Sequence, residues 1–311
     1  MPQPLFTVAT ITYNSSRWVR QAIESVLASS YTDFEYIISD DCSTDDTWDI
    51  IQEYKDGRIK AWRNQTNIGE YPNRNIVLRQ AKGKYFLFID GDDLIYPYGL
   101  GIFSHYIKLF PEAVMIYCIP PRPYFILPVL LKPREIYVHD FFGRSVSLHG
   151  FTYTVFLTEI LRTAGGLPED YNLGDNFIKR KIAALFPVVL IPEGLTWWRA
   201  TDQQASVRAF RNITGYLEEF NINLALLMSD QCPLSPNERE EALRYLKKAF
   251  IKNQLFRRIL KFKIIQALKL FHLSSLELKD FKYVFQKTCF PQYTYTKFNP
   301  KTDFGRLLKC N

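Results

Sequence analysis

The stretch YFLFIDGDDLIY, from Tyr85 to Tyr96, joins an apolar run to a cluster of three carboxylates. An apolar run without polar alternation is typical of a strand buried on both faces of a parallel sheet, and ligands bind beyond the carboxyl ends of such strands. Asp90, Asp92 and Asp93 lie at that end, where Gly91 lets the backbone turn. Close carboxylates repel each other, so a hard cation such as Mg2+ or Mn2+ would stabilise the cluster. The alternative is a polar turn, since Asp and Gly are also common turn residues.

The sequence before this stretch alternates between strand and helix patterns. Segments rich in β-forming residues end in polar turns, and the apolar residues of the intervening segments recur at helical spacing. Predicted strands cover 6–11, 34–39 and 58–62, and predicted helices cover 18–27, 47–54 and 73–81. This alternation predicts an α/β fold with a doubly wound, mostly parallel sheet.

A second pair of carboxylates, Asp40 and Asp41, follows the predicted strand 34–39. The carboxyl ends of parallel strands meet at one edge of a sheet, so this pair and the cluster at 90–93 should line one crevice. The sequence contains neither GxGxxG nor GxxxxGK[ST], the glycine loops that bind phosphates in dinucleotide oxidoreductases and P-loop enzymes. We therefore expect a metal ion to take over the binding of phosphate groups in that crevice.

The composition indicates a globular protein with anionic partners. The chain has 311 residues, of which 47% are hydrophobic, and a formal net charge of +7. Five scattered cysteines without a CxxC pair predict neither a disulfide framework nor a zinc site, which is typical of a reducing cytoplasmic compartment. The N-terminal segment has no signal-peptide pattern, and no apolar run approaches the roughly 20 residues of a membrane span.

Several ordered motifs resemble those of the family 2 glycosyltransferases, which have the GT-A fold. They are TITYN at 10–14, ISDDCSTDDT at 38–47 and NIGEYPNRNIVLRQAKGKYFLFIDGDD at 67–93, which ends in a match to the family's DxD motif. The resemblance covers roughly residues 5–205 and implies a Rossmann-like sheet. We therefore expect a GT-A domain at 1–205 and a helical, basic C-terminal region at 206–311.

The resemblance implies a nucleotide site at the first two strand ends. Thr12 and Tyr13 fall in a turn that is similar to the family's first nucleotide-contacting turn. Asp41 matches the acidic residue that holds the nucleotide base, and Arg74 matches an arginine on the nucleotide side. Taken without the resemblance, residues 12–14 would form a helix-capping turn, and Arg74 would be a solvated charge on a helix.

The resemblance also implies a metal site. Asp90 and Asp92 match the two acidic positions of DxD. Asp92 is expected to bind Mn2+ or Mg2+, and Asp90 is expected to support the ribose or the water shell of the ion. Asp93 is expected to support these residues from outside the ligand set. Arg199, in the segment WWRATD, would contact a phosphate, although Thr201 stands where the family often has a histidine.

The segment YNLGDNF at 171–177 lies where the family places an acidic catalytic base, commonly within a Glu-Asp pair. It follows GGLPED at 165–170, which resembles a turn near the family's acceptor site. Here the pair reads Asp175-Asn176. A general base must be ionisable and within reach of its proton, which favours Asp175 over Asn176. Asp170 is the alternative base.

The C-terminal region contains a basic, amphipathic stretch. From Ala242 to Leu276 it has nine Lys or Arg residues and no Asp or Glu. Most of its apolar residues fall on one helical face, formed by Phe256, Ile259, Leu260, Ile264, Ala267, Leu270 and Phe271, whereas Phe262 and Ile265 lie off this face and Lys263 lies within it. Basic amphipathic helices commonly lie on anionic membranes. The alternative is a helix packed on the rest of the protein with a solvated basic face.

Together these expectations predict a metal-dependent, inverting hexosyltransferase that moves a sugar from a nucleotide-diphosphate sugar to a glycan or lipid-linked acceptor. Such an enzyme would act in the synthesis of a cell-surface glycan or polysaccharide, in the cytoplasm or peripherally on the inner membrane face. Nucleic acid is not an expected partner, because the positive charge lies in the tail without a recognised reading motif. The alternatives are a sugar nucleotidyltransferase and an inactive sugar-nucleotide-binding protein.

Overall fold

The computed structural model describes residues 3–120, 126–143, 145–148, 150–201 and 213–288. These residues form a central eight-stranded sheet, a two-stranded sheet, the helices that cover the central sheet, and a group of C-terminal helices. The central strands are β1 (Phe6–Thr12), β2 (Phe34–Asp40), β3 (Ile59–Arg63), β4 (Tyr85–Phe88), β6 (Met115–Ile119), β7 (Val129–Leu131), β8 (Thr154–Leu157) and β9 (Val188–Pro192). The two-stranded sheet pairs β5 (Leu94–Ile95) with β10 (Thr196–Trp197).

The strand order of the central sheet is β3-β2-β1-β4-β8-β6-β9-β7. Strand β1 pairs in parallel with β2 and β4, and β2 pairs in parallel with β3. Strand β8 is antiparallel to both β4 and β6, whereas β9 is parallel to β6. The sheet is therefore mixed but mostly parallel, as predicted. Because β1, β2 and β4 are parallel, the segments that follow them emerge at one edge of the sheet.

Strand β4 confirms that the apolar run is buried on both faces. Phe86 and Phe88 pack into the apolar cluster on one face of the sheet, and Leu87 and Ile89 pack into the cluster on the other face. The helices that cover these faces are α1 (Val19–Leu27), α2 (Thr47–Gln52), α3 (Glu70–Gln80), α4 (Gly99–Leu109), α5 (Pro133–Phe142), α6 (Thr158–Thr163) and α7 (Gly174–Ala183).

The C-terminal region is helical, as predicted, and it packs on the α/β core. It contains α8 (Ile213–Met228), α9 (Pro236–Phe250), a π-helical segment (Ile251–Phe256), α10 (Arg257–Leu260), α11 (Ile264–Leu273) and a 3-10 segment (Leu278–Phe285). Ile222 and Leu226 of α8 pack in one apolar cluster with Tyr137 of α5 and Leu173 at the start of α7. The proposed domain boundary near residue 205 lies outside the described residues.

The predicted single apolar face of the C-terminal region is divided in the structure. Phe262, between α10 and α11, has a φ of 56°, a left-handed conformation that ends one helix before the next begins. Ala267 and Leu270 of the predicted face are buried against the protein, whereas Leu260 is 78% exposed. Ile265, which lies off the predicted face, is 83% exposed. The residues of the predicted stripe are therefore divided between two helices, and only part of the stripe is buried against the protein.

No helix within the described ranges combines the length and the apolar composition needed to cross a bilayer.

Candidate functional site

A cavity of about 1320 Å³ opens at the carboxyl edge of β1, β2 and β4. The structure brings to its wall every residue that the sequence assigns to the site except Asp170, whose side chain is exposed elsewhere. Those wall residues are Thr12, Tyr13, Asp41, Arg74, Asp90, Asp92, Asp93, Asp175 and Arg199. Segments far apart in the chain therefore form one polar cavity, as the parallel strand ends predict.

The cation beside Asp90 is the guanidinium of Arg74. Arg74 Nη1 donates to Asp90 Oδ1 at 2.8 Å, and Nη2 donates to Asp90 Oδ2 at 2.8 Å. Helix α3 begins at Glu70, earlier than predicted, which places Glu70 one turn before Arg74 and 2.9 Å from its Nη2. Burial alone would lower the pKa of Arg74, but the charges of Asp90 and Glu70 raise it. Because its side chain is only 3% exposed, the description of Arg74 as a solvated helix charge is wrong.

The Arg74 to Asp90 pair should contribute strongly to stability. We expect Arg74→Met to lower the free energy of unfolding by about 3 kcal/mol, since removing one partner leaves a partly buried carboxylate without its charge. Urea unfolding would measure this loss. The control is Arg79→Met on the exposed side of the same helix, which should change stability by less than about 0.5 kcal/mol. Equal effects of the two substitutions would show that the pair does not stabilise the fold.

Asp92 and Asp93 differ in their surroundings although they are adjacent. The Asp93 carboxylate is buried, accepts the backbone N–H of Arg199 at 3.0 Å, and also accepts the hydroxyl of Thr152. Burial, together with the charge of Asp90, raises the pKa of Asp93 to about 8. Asp92 lines the cavity, and its carbonyl oxygen accepts Arg199 Nε at 2.8 Å. Asp93 therefore anchors the segment that carries Arg199. Of the two carboxylates, that of Asp92 is the better placed to bind a metal ion.

The described part of the chain holds no group of three or more acidic, His or Cys side chains that could bind a metal. Asp90 accepts one hydrogen bond from Arg74 on each oxygen and keeps acceptor positions, so Asp90 and Asp92 are the two cavity carboxylates beside which an ion could bind. A hard ion with one or two protein carboxylates commonly completes its shell with water and substrate phosphates. The residues present therefore fit an ion that binds together with a diphosphate.

Asp41 organises the wall of the cavity. Its Oδ1 accepts Asn64 Nδ2 at 2.9 Å and the backbone N–H of Ile68 at 3.0 Å, and its Oδ2 accepts the N–H of Gly69 at 2.9 Å. Gly69 has a φ of 94°, a conformation that glycine adopts readily, and precedes the first residue of α3. A carboxylate can accept about four hydrogen bonds, so Asp41 keeps one acceptor position for a ligand.

The turn after β1 does not cap α1. Helix α1 begins at Val19, and the residue at its N-cap is Trp18. Thr12 donates to the buried Asp40 at 2.9 Å, and Asn14 Oδ1 accepts the backbone N–H of Thr44 at 2.8 Å. The helix-capping interpretation of residues 12–14 is therefore wrong, because these side chains tie β1 to the segment after β2. Tyr13 is left 49% exposed on the cavity wall.

Asp175 lies in the first turn of α7 and faces the cavity. Its Oδ2 lies 3.5 Å from Nζ of Lys179, one turn later, and its backbone N–H donates to the hydroxyl of Tyr71 at 3.3 Å. Burial lowers the pKa of Lys179, and the Asp175 charge opposes that shift. Asn176 is not on the cavity wall. Of the two carboxylates that the sequence offers as a base, Asp175 therefore lies on the cavity wall and Asp170 does not.

Aromatic side chains beside Arg199 were not assigned to the site from the sequence. The Arg199 guanidinium carbon lies 4.0 Å from the ring centroid of Trp18 and 4.6 Å from that of Trp197. Pairing of β10 with β5 brings Trp197 next to Leu94, just after the carboxylate cluster. In the sequence, Trp18 has only the spacing of an apolar helix residue. Nothing near it therefore predicts its contact with Arg199, which lies far along the chain. Trp197 and Trp198 line the cavity, and Trp197 is 41% exposed.

Comparison with known sequences identifies related proteins over the cavity-forming segment. Residues 7–139 match the model of glycosyl transferase family 2. WfaP of Escherichia coli, a UDP-Glc:alpha-D-GlcNAc-diphosphoundecaprenol beta-1,3-glucosyltransferase, is 43% identical over 89 residues, which are 29% of this chain and 36% of WfaP. TuaG of Bacillus subtilis, a putative teichuronic acid biosynthesis glycosyltransferase, is 42% identical over 93 residues, 29% of this chain and 37% of TuaG. The chain thus spans little more than a third of the length of these relatives.

Comparison with solved structures extends the likeness to most of the chain. Staphylococcus aureus TarS 1–349 in complex with UDP-GlcNAc has a TM-score of 0.64 and 19% identity, covering 86% of this chain and 83% of that chain. Mannosyltransferase PcManGT from Pyrobaculum calidifontis, in complex with GDP-Man and Mn2+, has a TM-score of 0.61 and 16% identity, covering 91% of this chain and 79% of that chain. At such identities the likeness shows the fold alone. Residues 7–139, which include the carboxylate-bearing segment, therefore match glycosyltransferase family 2, and the described residues share the GT-A fold of these structures.

Proposed function

We propose that the protein is a metal-dependent, inverting glycosyltransferase of the hexosyltransferase type. It would transfer a sugar from a nucleotide-diphosphate sugar to a hydroxyl of a glycan or lipid-linked acceptor, in the synthesis of a cell-surface polysaccharide. The observation that carries this proposal is that Asp41, Asp92 and Asp175 line one cavity of about 1320 Å³. Relatives named for such reactions, and neighbours solved with UDP-GlcNAc or with GDP-Man and Mn2+, support it.

The donor nucleotide would lie between the ends of β1 and β2. Tyr13 offers an exposed ring on which a base can stack, and the remaining acceptor position of Asp41 suits an N–H group of the base. Thr12 holds this turn in place through Asp40. Arg74 keeps the Asp90 carboxylate oriented toward the ribose or the water shell of the ion. The exposed part of the cavity near Arg199 would take the phosphates.

Asp92 would hold the divalent ion against the diphosphate. When bound, Mn2+ or Mg2+ supplies charge that stabilises the departing diphosphate. Arg199, which is hydrogen-bonded to the backbone of Asp92, would add positive charge beside the ion, with its guanidinium held between Trp18 and Trp197. Asp93 supports both residues, because it binds the backbone of Arg199 and lies next to Asp92.

Asp175 would act as the general base. Its carboxylate would accept the proton of the acceptor hydroxyl while the hydroxyl oxygen forms a bond to the anomeric carbon. The bond between that carbon and the diphosphate oxygen breaks, and the nucleoside diphosphate leaves with the bonding electrons. One displacement from the opposite face inverts the configuration. The proton stays on Asp175 until the product leaves.

A donor screen tests this proposal. We expect the purified chain with Mn2+ to be stabilised thermally by one nucleotide sugar from a panel, and to release the matching nucleoside diphosphate when an acceptor is added. Release of free pyrophosphate would instead identify a sugar nucleotidyltransferase. Binding without turnover for any donor and acceptor would identify an inactive sugar-nucleotide-binding protein.

We also propose that the protein is cytoplasmic and binds an anionic membrane surface, where a lipid-linked acceptor would be available. The contact would be the apolar tip formed by Leu260, Phe262, Ile265 and Leu268, whose exposed fractions are 78%, 92%, 83% and 62%. Lys261 and Lys263 flank the turn at this tip, and residues 242–276 carry no acidic side chain. Apolar insertion combined with basic flanks suits an anionic lipid surface.

A double substitution tests the tip. Phe262→Asp with Ile265→Asp should lower partition onto phosphatidylglycerol vesicles by about tenfold, because apolar area is lost and negative charge is added. Cosedimentation with the vesicles at two salt concentrations would measure this partition. Met228→Asp is the control, since Met228 is 63% exposed at the C-terminal end of α8 and does not belong to the tip. Unchanged sedimentation of the double variant would remove the membrane proposal without affecting the donor assignment.

A further inference from the structure

The turn that leads into α7 is held from two sides, by the side chain of Tyr71 on α3 and by that of Glu218 on α8. The Tyr71 hydroxyl donates to the carbonyl oxygen of Asn172 at 3.1 Å and accepts the backbone N–H of Asp175 at 3.3 Å. From the other side, Glu218 accepts the backbone N–H of Leu173 at 2.9 Å and Nδ2 of Asn172 at 2.9 Å. The two side chains thus bind the backbone of the proposed base and of the turn just before it.

Glu218 supplies a hydrogen-bond acceptor at the start of α7 that the residues of the turn do not provide. The N-cap residue of α7 is Leu173, whose side chain cannot accept a hydrogen bond. The first N–H groups of a helix have no partner within the helix, and a negative group near them is stabilising. Glu218 comes from α8, in the C-terminal region, so this region directly supports the cavity wall.

Tyr71 connects the turn to the donor side of the cavity. It lies on α3, three residues before Arg74, which binds Asp90. Its ring packs closely on the start of α7, because a Cβ at Gly174 would lie only 2.8 Å from Tyr71 Cε1. Burial and the charge of Asp175 raise the pKa of Tyr71, so the hydroxyl keeps the proton that it donates to Asn172.

We propose that Tyr71 and Glu218 are positioning residues that fix Asp175 for proton transfer. This inference rests on the proposed function, in which Asp175 is the base. The Asp175 carboxylate lies 3.5 Å from Lys179, a distance too long for a strong hold, so its placement depends on the backbone of the turn. A displacement of the reacting group by about 1 Å can cost about a hundredfold in rate. The C-terminal helix α8 is therefore part of the acceptor side of the active site.

The test compares Tyr71→Phe and Glu218→Ala in the native chain and in the Asp175→Asn background. In the native chain each should lower kcat by about tenfold, with the Kd for the donor nucleotide unchanged within about twofold. In the Asp175→Asn background each should change the residual rate by less than about twofold, because a base that is absent cannot be misplaced. Glu218→Gln should recover part of the lost rate, since its amide oxygen keeps one of the two acceptors.

The matched control is Tyr137→Phe. Its hydroxyl donates to the carbonyl oxygen of Arg180 at 3.2 Å, in the same helix but away from Asp175. We expect a similar decrease in Tm for Tyr137→Phe and Tyr71→Phe, but a change in kcat only for the latter. Equal losses of kcat in both backgrounds, or no loss in the native chain, would overturn the positioning role. Near-normal turnover of Asp175→Asn alone would instead reject the base, which is a separate failure.

Discussion

Asp175→Asn should lower kcat by about a thousandfold, because the amide cannot take the proton of the acceptor hydroxyl. The affinity for the donor should stay within about twofold, since the proposed role of Asp175 concerns the acceptor and the substitution preserves the shape of the side chain. Single-turnover transfer and donor titration would measure the two quantities separately. A carboxamide at this position also keeps the backbone hydrogen bond to Tyr71.

The matched control for this substitution is Asp170→Asn. Asp170 is exposed and is not on the cavity wall, so we expect the transfer rate of the Asp170→Asn variant to remain within about twofold of the native rate. If Asp170→Asn abolishes transfer and Asp175→Asn does not, the base is Asp170 and the proposed role of Asp175 is wrong. A loss in both variants would show that the segment acts through its structure.

Asp92→Ala should abolish turnover that depends on Mn2+ or Mg2+, with a loss of about a thousandfold or more. The reason is that Asp90 is oriented by its ion pair with Arg74 and Asp93 is buried, so neither carboxylate takes the position of the missing one. The Tm without ligand should be unchanged. Addition of Mn2+ should no longer tighten binding of the nucleoside diphosphate, which calorimetry measures independently of activity.

Asp49→Ala provides the control for the change in charge. Asp49 is exposed on α2 and does not line the cavity. We expect it to leave both the rate and the effect of Mn2+ on nucleotide binding unchanged within about twofold. A near-normal, metal-stimulated rate for Asp92→Ala would rule out Asp92 as the metal-binding residue.

The sequence predicted the part of the fold that depends on local patterns. The apolar run at 85–89 is buried on both faces because its residues alternate between two apolar clusters, which a run without polar residues requires. The polar residues that follow β1, β2 and β4 meet because parallel strands end at one edge. Both features follow from the pattern of apolar residues and from the parallel direction of the strands, so they could be predicted from the sequence.

The contacts that specify the site were harder to predict because they join distant segments. The hydrogen bond from Tyr71 to Asn172 spans 101 residues, and the sequence around neither residue predicts the contact. Arg74 had an ordinary helix position, and its burial depends on Phe88 and Phe151 packing over it. In the C-terminal region, the helical face was assigned as if the segment formed one helix. The structure has two helices there, separated by a turn at Phe262.

The identity of the released product tests the central claim most directly. The purified full chain would be incubated with Mn2+, the nucleotide sugar that stabilises it and a hydroxyl-bearing acceptor, and the small-molecule products would be separated. We predict nucleoside diphosphate in an amount equimolar with the transferred sugar, and product with inverted anomeric configuration. Free pyrophosphate, retained configuration, or no transfer with any donor and acceptor would contradict the account.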